Sequence, residues 1–310
     1  MVALVVCMDS IELDSYAKVN LTLEVSRKRP DGYHDIDSVV QVIGAADHLR
    51  MSKTCACVIG VTVDRADVPK GRENLVHRAC EEFIRATGVR GGVSCDLSKG
   101  IPPQAGLGGG SGNAAAAILG MDVLYDTGLS YEELVAIASK VGSDVPLFII
   151  GGTVRIRGRG ELVEPLPDAP EMYVVLVKPE VGVSTAWAYS ELDRRSERKA
   201  TGASDEVERA IRDGDRVRLI EAMRNDFDSA VSDTVDDVRR AKEAVLATGA
   251  RRVMLCGSGS AVFGVFESGD EAMEAARKLN RRLPWVLATR TISRETMRQR
   301  LFAAAQGRQT

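Results

Sequence analysis

The glycine-rich segment at residues 102–118, PPQAGLGGGSGNAAAAI, constrains the fold more than any other part of the chain. Five of the seven residues from 106 to 112 are glycine, and a run of four alanines follows. Glycine accepts positive φ and permits close approach of the backbone, and successive N–H groups at the start of a helix attract phosphate. A flexible linker is the alternative, but the helix-forming sequence that follows favours a phosphate-binding loop.

Two common phosphate-loop motifs do not fit this segment. The chain contains no G-x-x-x-x-G-K-[ST], which excludes a Walker A loop. The dinucleotide motif G-x-G-x-x-G also fails, because Gly106 and Gly108 are followed by Ser111 where the third glycine is needed. The loop therefore belongs to another class, and the rest of the chain has to indicate its use.

The composition limits the partners that such a loop can serve. With 41 basic and 44 acidic residues the net charge is −3, which predicts that nucleic acid is not a partner. No apolar run is long enough to span a membrane and the first residues lack a secretion signal, so we expect a cytoplasmic enzyme without membrane association. The six cysteines form no C-x-x-C pair and the three histidines are not clustered, so no protein metal ligand is predicted.

A strand with two candidate functional residues is predicted at 15–25. Its apolar and polar residues alternate, which is typical of a half-buried strand, and Lys18 and Asn20 share the polar face. The sequence Pro-Asp-Gly at 30–32 then predicts a turn. Tyr33 and His34 follow directly, so an aromatic ring lies beside a ring donor at the tip of a loop.

Asp144 has two interpretations. It follows Gly142 and Ser143 and precedes an apolar helix-forming segment, so its carboxylate is predicted to be partly buried. A buried carboxylate needs a positive partner, which is the functional interpretation. Aspartate before Val-Pro also commonly caps a helix, and the local sequence favours neither interpretation over the other.

The chain length and the positions of proline and turn residues predict two domains and a tail. A helix is expected at 74–87, a second helix is expected after the Ser130–Glu133 capping box, and prolines cluster at 165–170. We place the domains at 1–160 and 161–294, with a tail of unknown role at 295–310. The second domain is read as an α+β unit with a Gly-Ser turn at 257–260 between two strands.

Four motifs, in this order, resemble the superfamily that includes galactokinase, homoserine kinase, mevalonate kinase and phosphomevalonate kinase. They are AKVNL at 17–21, the glycine loop, GSDVP at 142–146 and CGSGSAVF at 256–263. Within the superfamily, AKVNLTLEVSRKRPDGYH together with AGLGGGSGNAAA resembles the family of 4-diphosphocytidyl-2-C-methyl-D-erythritol kinases. The resemblance implies an α+β, two-domain small-molecule kinase fold. Its N-terminal domain, for ATP binding and catalysis, would be ribosomal-protein-S5-domain-2-like, and its substrate-binding C-terminal domain would be ferredoxin-like.

The resemblance also implies a reaction, in which ATP phosphorylates the 2-hydroxyl of a cytidine-diphosphate-linked methylerythritol in non-mevalonate isoprenoid biosynthesis. The glycine loop would hold the ATP phosphates, and Asn74 would lie near the adenine. The implied loop residues are Pro103, Gln104, Ala105, Gly106, Leu107, Gly108, Gly109, Gly110 and Ser111. Mg²⁺ would arrive with ATP and take no protein ligand, since Gly112-Asn113 stands where many members have Ser-Asp.

For the small-molecule acceptor, Asp144 would be the catalytic base, with Lys18 beside it. Tyr33 and Tyr189 would flank the cytosine ring, and His34 would hydrogen-bond it. The implied substrate-binding residues are Asn20, Tyr33, His34, Thr185, Tyr189, Gly257 and Ser258. The expected assembly is a monomer or a weak homodimer.

Other functions are weighed against this interpretation. A homoserine- or mevalonate-type kinase is disfavoured by Tyr33 and His34, because neither substrate has a base to stack on. A non-catalytic nucleotide-binding regulator is disfavoured by Lys18 and Asp144, which ATP binding alone does not need. A hydrolase has almost no support from three scattered histidines. Trp187 competes with Tyr189 for the stacking role.

Overall fold

The computed structural model describes residues 9–195 and 201–307, which form an eight-stranded and a four-stranded sheet with helices packed against them. The strands are β1 (Ser10–Asn20), β2 (Thr22–Lys28), β3 (His34–Thr54), β4 (Ile59–Val63), β5 (Gly92–Ser98), β6 (Thr153–Gly158), β7 (Leu162–Pro165), β8 (Tyr173–Lys178), β9 (Arg224–Asn225), β10 (Arg252–Leu255), β11 (Val262–Phe266) and β12 (Trp285–Arg290). The helices are α1 (Leu75–Thr87), α2 (Gly109–Tyr125), α3 (Tyr131–Val141), α4 (Val145–Ile150), α5 (Thr185–Asp193), α6 (Ala203–Asp213), α7 (Arg216–Ala222), α8 (Phe227–Ser232), α9 (Asp236–Leu246), α10 (Gly269–Leu279) and α11 (Arg294–Ala305), and a 3-10 turn lies at Gly71–Glu73. None of the helices in these two ranges is long and apolar enough to cross a membrane.

The first sheet is organised around β3, a strand of 21 residues. One part of β3 pairs antiparallel with β1 and β5, and the part nearer its start pairs with β2 and β6. The two-residue strand β9 joins the edge of this sheet by pairing parallel with β2. Since β9 lies between the helices of the second half of the chain, the two halves are joined through the backbone as well as through side chains.

The strand predicted at 15–25 is wrong in two respects. It is divided into β1 and β2, with Leu21 between them. Its polar face is also buried, with Lys18 only 6% and Asn20 only 3% exposed. The reason is tertiary, because the backbone at Leu107 and the turn at 257–260 cover this face. Polar residues that local alternation assigns to solvent therefore lie at the interface between the two halves.

The helix that follows the glycine loop lies very close to β1. A Cβ at Gly112 would overlap the carbonyl oxygen of Tyr16. The four alanines at 114–117 are buried, at 0–5% exposure. These small side chains let α2 press on the sheet, and the neighbouring helices α1, α3 and α4 complete the first core.

The two predicted helix starts are confirmed. Asn74 caps α1, and Gly88 ends it in a left-handed conformation at φ 70°. Ser130 and Glu133 form the reciprocal capping box of α3. Both predictions rest on contacts within one turn of helix, so they do not depend on the rest of the fold.

The second sheet has the strand order β10-β11-β8-β12 and is antiparallel throughout. Helices α8, α9 and α10 pack against it. Its apolar side chains, among them Val175, Val177 and Phe266, form a core with those helices. The expected α+β class with two structural units is confirmed.

The predicted domain boundary and tail can be compared with the bounds of the two sheets and of helix α11. The boundary at 160/161 falls in the turn of the β6–β7 hairpin, whereas the second sheet begins at β8. Helix α11, in the predicted tail, packs back on the first core through Met297, Leu301 and Ala304. We propose that the first domain extends through β7 and that α11 belongs with it.

Glu24 on β2 holds the start of α6. Its carboxylate accepts hydrogen bonds from the N–H groups of Thr201 (2.9 Å), Gly202 (3.1 Å) and Ser204 (3.0 Å), and from the Thr201 hydroxyl (2.8 Å). Partial burial favours the protonated form, but the hydrogen bonds outweigh it and lower the pKa of Glu24 to about 2. The ionised carboxylate therefore stabilises the contact between β2 and α6.

Replacing Glu24 with glutamine is expected to lower the free energy of unfolding by about 1 kcal/mol at neutral pH. Because the folded pKa lies below the ordinary value of 4.5, the wild-type contribution is full above pH 4.5 and is lost as the pH falls toward about 2. Urea unfolding of both proteins between pH 7 and pH 3 measures the difference. The exposed Glu132→Gln change on α3 is the control, and equal stability of Glu24→Gln and wild type at pH 7 would contradict this role.

Candidate active site

Lys18 occupies the centre of the site and is held by a chain of hydrogen bonds. Its Nζ donates to Asn20 Oδ1 at 2.7 Å, and Asn20 Nδ2 donates to Ser38 Oγ at 2.9 Å. The Ser38 hydroxyl in turn donates to the Thr22 carbonyl oxygen. The alternation of β1 places Lys18 and Asn20 on one buried face, and Ser38 on the neighbouring strand β3 continues the chain of hydrogen bonds that holds the ammonium.

The second half of the chain comes within contact distance of the Lys18 ammonium. A Cβ at Gly257 would lie 3.2 Å from Nζ. Burial lowers the pKa of Lys18, and the negative charge of Asp144 raises it in part. The two candidate catalytic groups therefore lie within electrostatic range of each other.

Asp144 lies at the start of α4, but its side chain does not cap that helix. Within residues 9–195 and 201–307, no hydrogen bond or ion pair engages its half-buried carboxylate. A carboxylate that caps a helix would accept a backbone N–H of the first turn. The capping interpretation of Asp144 is therefore not supported, and its oxygens are free to accept a proton from a substrate.

The glycine loop forms the opposite wall. Gly106 and Gly108 have φ of 74° and 72°, and α2 begins at Gly109 without a side-chain cap. The first N–H groups of a helix have no partner within the helix. Those of this 17-residue helix lie where the loop enters it, together with the positive end of the helix dipole, which is an arrangement that suits an anion.

The loop is anchored to both halves of the protein. The Leu107 carbonyl oxygen accepts the Lys18 N–H at 2.9 Å. On the other side, the Ala105 carbonyl oxygen accepts the Ala261 N–H at 3.2 Å, and a Cβ at Gly106 would overlap the Cys256 carbonyl oxygen. Pro103 is half-buried and Gln104 is exposed at the outer end of the loop. The loop therefore joins Lys18 to the second half.

Asn74 lies beside the loop, but its side chain already has partners. Its Oδ1 accepts the Val76 N–H at 2.9 Å, and its Nδ2 donates to the Pro69 carbonyl oxygen at 2.8 Å. The next residue, Leu75, contacts the loop, since a Cβ at Gly110 would lie 3.5 Å from it. Asn74 thus shapes the segment next to the loop through its role as a helix cap.

His34 and Tyr189 are stacked, with ring centroids 4.8 Å apart and an interplanar angle of 27°. His34 Nε2 lies 2.9 Å from Asp193 Oδ1. The edge of Tyr189 packs against Phe227 at 4.9 Å. Trp187 makes no such contact with His34 and lies half-buried against the second core. Of the two predicted rivals, Tyr189 is the one that reaches the residues after the Pro-Asp-Gly turn.

Tyr33 stands apart from this stack. Its side chain is 57% exposed, and the Arg159 guanidinium lies 4.9 Å from its ring centroid. Further along the site, the hydroxyls of Thr185 and Ser258 are 3.1 Å apart. Gly257 is held by Asn225, whose Nδ2 donates to its carbonyl oxygen at 2.8 Å. The predicted acceptor residues therefore form two groups, one around His34 and one around the 257–260 turn.

A buried polar cluster under α2 was not predicted. Lys99 pairs with Asp47, and their side chains are 5% and 0% exposed. Asn113 accepts a hydrogen bond from Lys99 at 3.0 Å and donates to Asp47 and Ser15 at 2.8 Å each. The departure at Asn113 from the common Ser-Asp pair was the available signal. In the described ranges, no group of three or more His, Cys, Asp or Glu side chains could hold a metal ion.

Comparison with known proteins shows the family of the chain. Residues 74–152 match the GHMP kinases N terminal domain, and residues 207–284 match the GHMP kinases C terminal domain. The chain is 41% identical to the 4-diphosphocytidyl-2-C-methyl-D-erythritol kinase of Moorella thermoacetica over 287 residues, which cover 92% of this chain and 100% of the relative. It is 36% identical to that of Geobacter metallireducens over 288 residues, with the same two coverages.

Solved structures give the same result. A crystal structure of 4-(cytidine 5'-diphospho)-2C-methyl-D-erythritol kinase has a TM-score of 0.78 and 31% identity, covering 91% of this chain and 99% of the other. A homoserine kinase from Cytophaga hutchinsonii has a TM-score of 0.76 at 18% identity, covering 94% and 98%, which shows a shared fold alone. The chain therefore belongs to the GHMP kinases and, within them, to the family of 4-diphosphocytidyl-2-C-methyl-D-erythritol kinases.

Proposed function

We propose that this protein transfers the γ-phosphoryl group of ATP to the 2-hydroxyl of 4-diphosphocytidyl-2-C-methyl-D-erythritol, a step of non-mevalonate isoprenoid biosynthesis. The relatives that carry this name match nearly the whole chain. The observation that carries the proposal is a buried Lys18 within electrostatic range of the half-buried Asp144 carboxylate, beside a helix start that has no side-chain cap. This combination supplies a base, a cation and a phosphate site in one place.

The proposed donor site is the glycine loop. The N–H groups at the start of α2 can bind the β- and γ-phosphates, and the small loop residues let the phosphates approach the backbone. Asn74 would shape the adenine pocket from the side, through the segment that it caps. Mg²⁺ would travel with ATP and keep phosphate and water as its ligands, which suits its preference for partial hydration.

The proposed chemistry at the acceptor is an in-line transfer. Asp144 accepts the proton of the substrate hydroxyl, the hydroxyl oxygen bonds to the γ-phosphorus, and the bond to the ADP oxygen breaks. The Lys18 ammonium stabilises negative charge on the attacking oxygen. Asn20 holds that ammonium in place and can contact the methylerythritol carbons at the same time.

The proposed recognition of the cytidine part uses the two groups of acceptor residues. His34, oriented by Asp193 and by the Tyr189 ring, can hydrogen-bond the edge of the cytosine. Tyr33, which is exposed, would cover the base from the other side. The hydroxyls of Thr185 and Ser258, next to Gly257, would contact the ribose or the phosphates.

ADP release tests the substrate. With ATP present, 4-diphosphocytidyl-2-C-methyl-D-erythritol, mevalonate and homoserine are offered in separate reactions. We expect release with the cytidylated alcohol only, because the other two have nothing to occupy the His34 and Tyr189 site. Release with mevalonate or homoserine, and none with the cytidylated alcohol, would overturn the proposal and favour the alternative kinase. The cytoplasmic location, the absence of nucleic-acid partners and the monomeric or weakly dimeric state remain predictions.

A further inference from the structure

We propose that Arg159 binds the diphosphate of the acceptor substrate and thereby helps to select a cytidine-diphosphate-linked alcohol. The inference rests on the proposed function and adds a residue that neither the motifs nor the family resemblance points to. Arg159 is exposed in the turn between β6 and β7. It lies between two parts of the candidate site, and the proposal depends on that position.

One side of this turn borders the catalytic carboxylate. A Cβ at Gly160 would lie 4.0 Å from Asp144 Oδ1 and 3.7 Å from the Cβ of Ser143. Arg159 is the neighbour of Gly160 in the chain. A long side chain at this point therefore starts within reach of the place where the reacting hydroxyl has to bind.

The other side of the turn borders the proposed base site. The Arg159 guanidinium lies 4.9 Å from the ring centroid of Tyr33, a cation–π contact. The pairing of Ile36 with Gly158 keeps the turn next to the start of β3, where His34 lies. Arg159 thus has its guanidinium beside a residue assigned to the cytosine and its backbone next to the turn residue that borders Asp144.

Arg159 also differs in its ion pairing from the other arginines nearby. Arg29 pairs with Asp31 and Asp35, and Arg157 pairs with Glu164. Within the two described ranges the Arg159 guanidinium has no ion pair, and the adjacent Glu161 carboxylate accepts the backbone N–H of Arg159 at 2.5 Å. The exposed positive charge of Arg159 can therefore interact with a negatively charged ligand.

The order of the groups along the substrate determines which of them lies next to the Arg159 guanidinium. A diphosphate links the cytidine to the methylerythritol, so it must lie between the bound base and the reacting hydroxyl. A guanidinium matches a phosphate with two parallel hydrogen bonds. Mevalonate and homoserine carry no diphosphate, so Arg159 would favour the cytidylated alcohol over both.

The Arg159→Gln variant tests this role. We expect its KM for the cytidylated alcohol to rise about tenfold, as for loss of a charge-assisted hydrogen bond, with kcat and the KM for ATP nearly unchanged. Arg157→Gln is the matched control, since Arg157 lies in the same hairpin but is neutralised by Glu164. Arg159→Lys, which keeps the charge but not the fork, should recover part of the affinity.

Calorimetric binding of CDP and of cytidine separates phosphate contact from support of Tyr33. Arg159→Gln should bind CDP about tenfold more weakly than wild type does and cytidine about as well. Equal losses for both ligands, or no loss for CDP, would overturn the proposal. These measurements need no turnover. A wild type that binds CDP but does not phosphorylate the cytidylated alcohol would therefore count against the proposed function and not against Arg159.

Discussion

Replacing Asp144 with asparagine should lower kcat by about 10²- to 10⁴-fold, the range expected when a general base is removed. Asparagine has the same shape but cannot accept the proton of the substrate hydroxyl. The Asp144 side chain does not cap α4, so the fold should tolerate the change. ATP binding, measured by calorimetry, should stay close to the wild-type value, because the glycine loop is untouched.

Asp270→Asn is the matched control for this prediction, since Asp270 is an exposed residue in the first turn of α10. It should leave kcat and ATP binding as they are. An Asp144→Asn variant with full activity would mean that the carboxylate is not the base. Loss of ATP affinity together with kcat would instead assign Asp144 to the donor side of the site.

Replacing Lys18 with methionine should lower kcat by about 10²- to 10³-fold, the loss typical of removing a group that stabilises a developing oxyanion. Methionine has a similar length and can fill the buried space of the Lys18 side chain without a charge. Burial lowers the pKa of Lys18, so the wild-type rate should fall at alkaline pH as the ammonium loses its proton. The variant should lack this alkaline decline, and a pH profile of kcat measures it.

Lys140→Met is the control, because Lys140 is exposed at the end of α3. A loss of stability alone does not support the role of Lys18, since Asn20 Oδ1 also loses its donor. The pH profile distinguishes the two effects. An alkaline decline that persists unchanged in Lys18→Met would show that another group causes it.

The parts of the structure that local sequence predicts well are those held by contacts within a few residues. The caps of α1 and α3 and the uncapped glycine start of α2 are of this kind. One pairing of the second sheet is also local, since β10 and β11 are joined by the predicted Gly-Ser turn at 257–260. In these segments the periodicity and the turn residues agree with the tertiary structure.

The rest could not be predicted because it depends on which distant segments meet. Lys18 and Asn20 alternate like surface residues, yet the second half of the chain buries them. Asp47 and Lys99 look like ordinary polar residues until Asn113 joins them under α2. Arg159 becomes a candidate ligand-binding residue only because β6 pairs with the start of β3.

Transfer of the phosphoryl group to the 2-hydroxyl is tested most directly by ³¹P NMR of the product. Carbon 2 carries the methyl branch and no hydrogen, so a phosphate on its oxygen has no carbinol proton to couple with. After incubation with ATP and the cytidylated alcohol, we predict a new phosphomonoester signal that stays a singlet without proton decoupling. A doublet or a triplet would place the phosphate on another hydroxyl, and no new signal would mean no transfer; either result contradicts phosphorylation of the 2-hydroxyl.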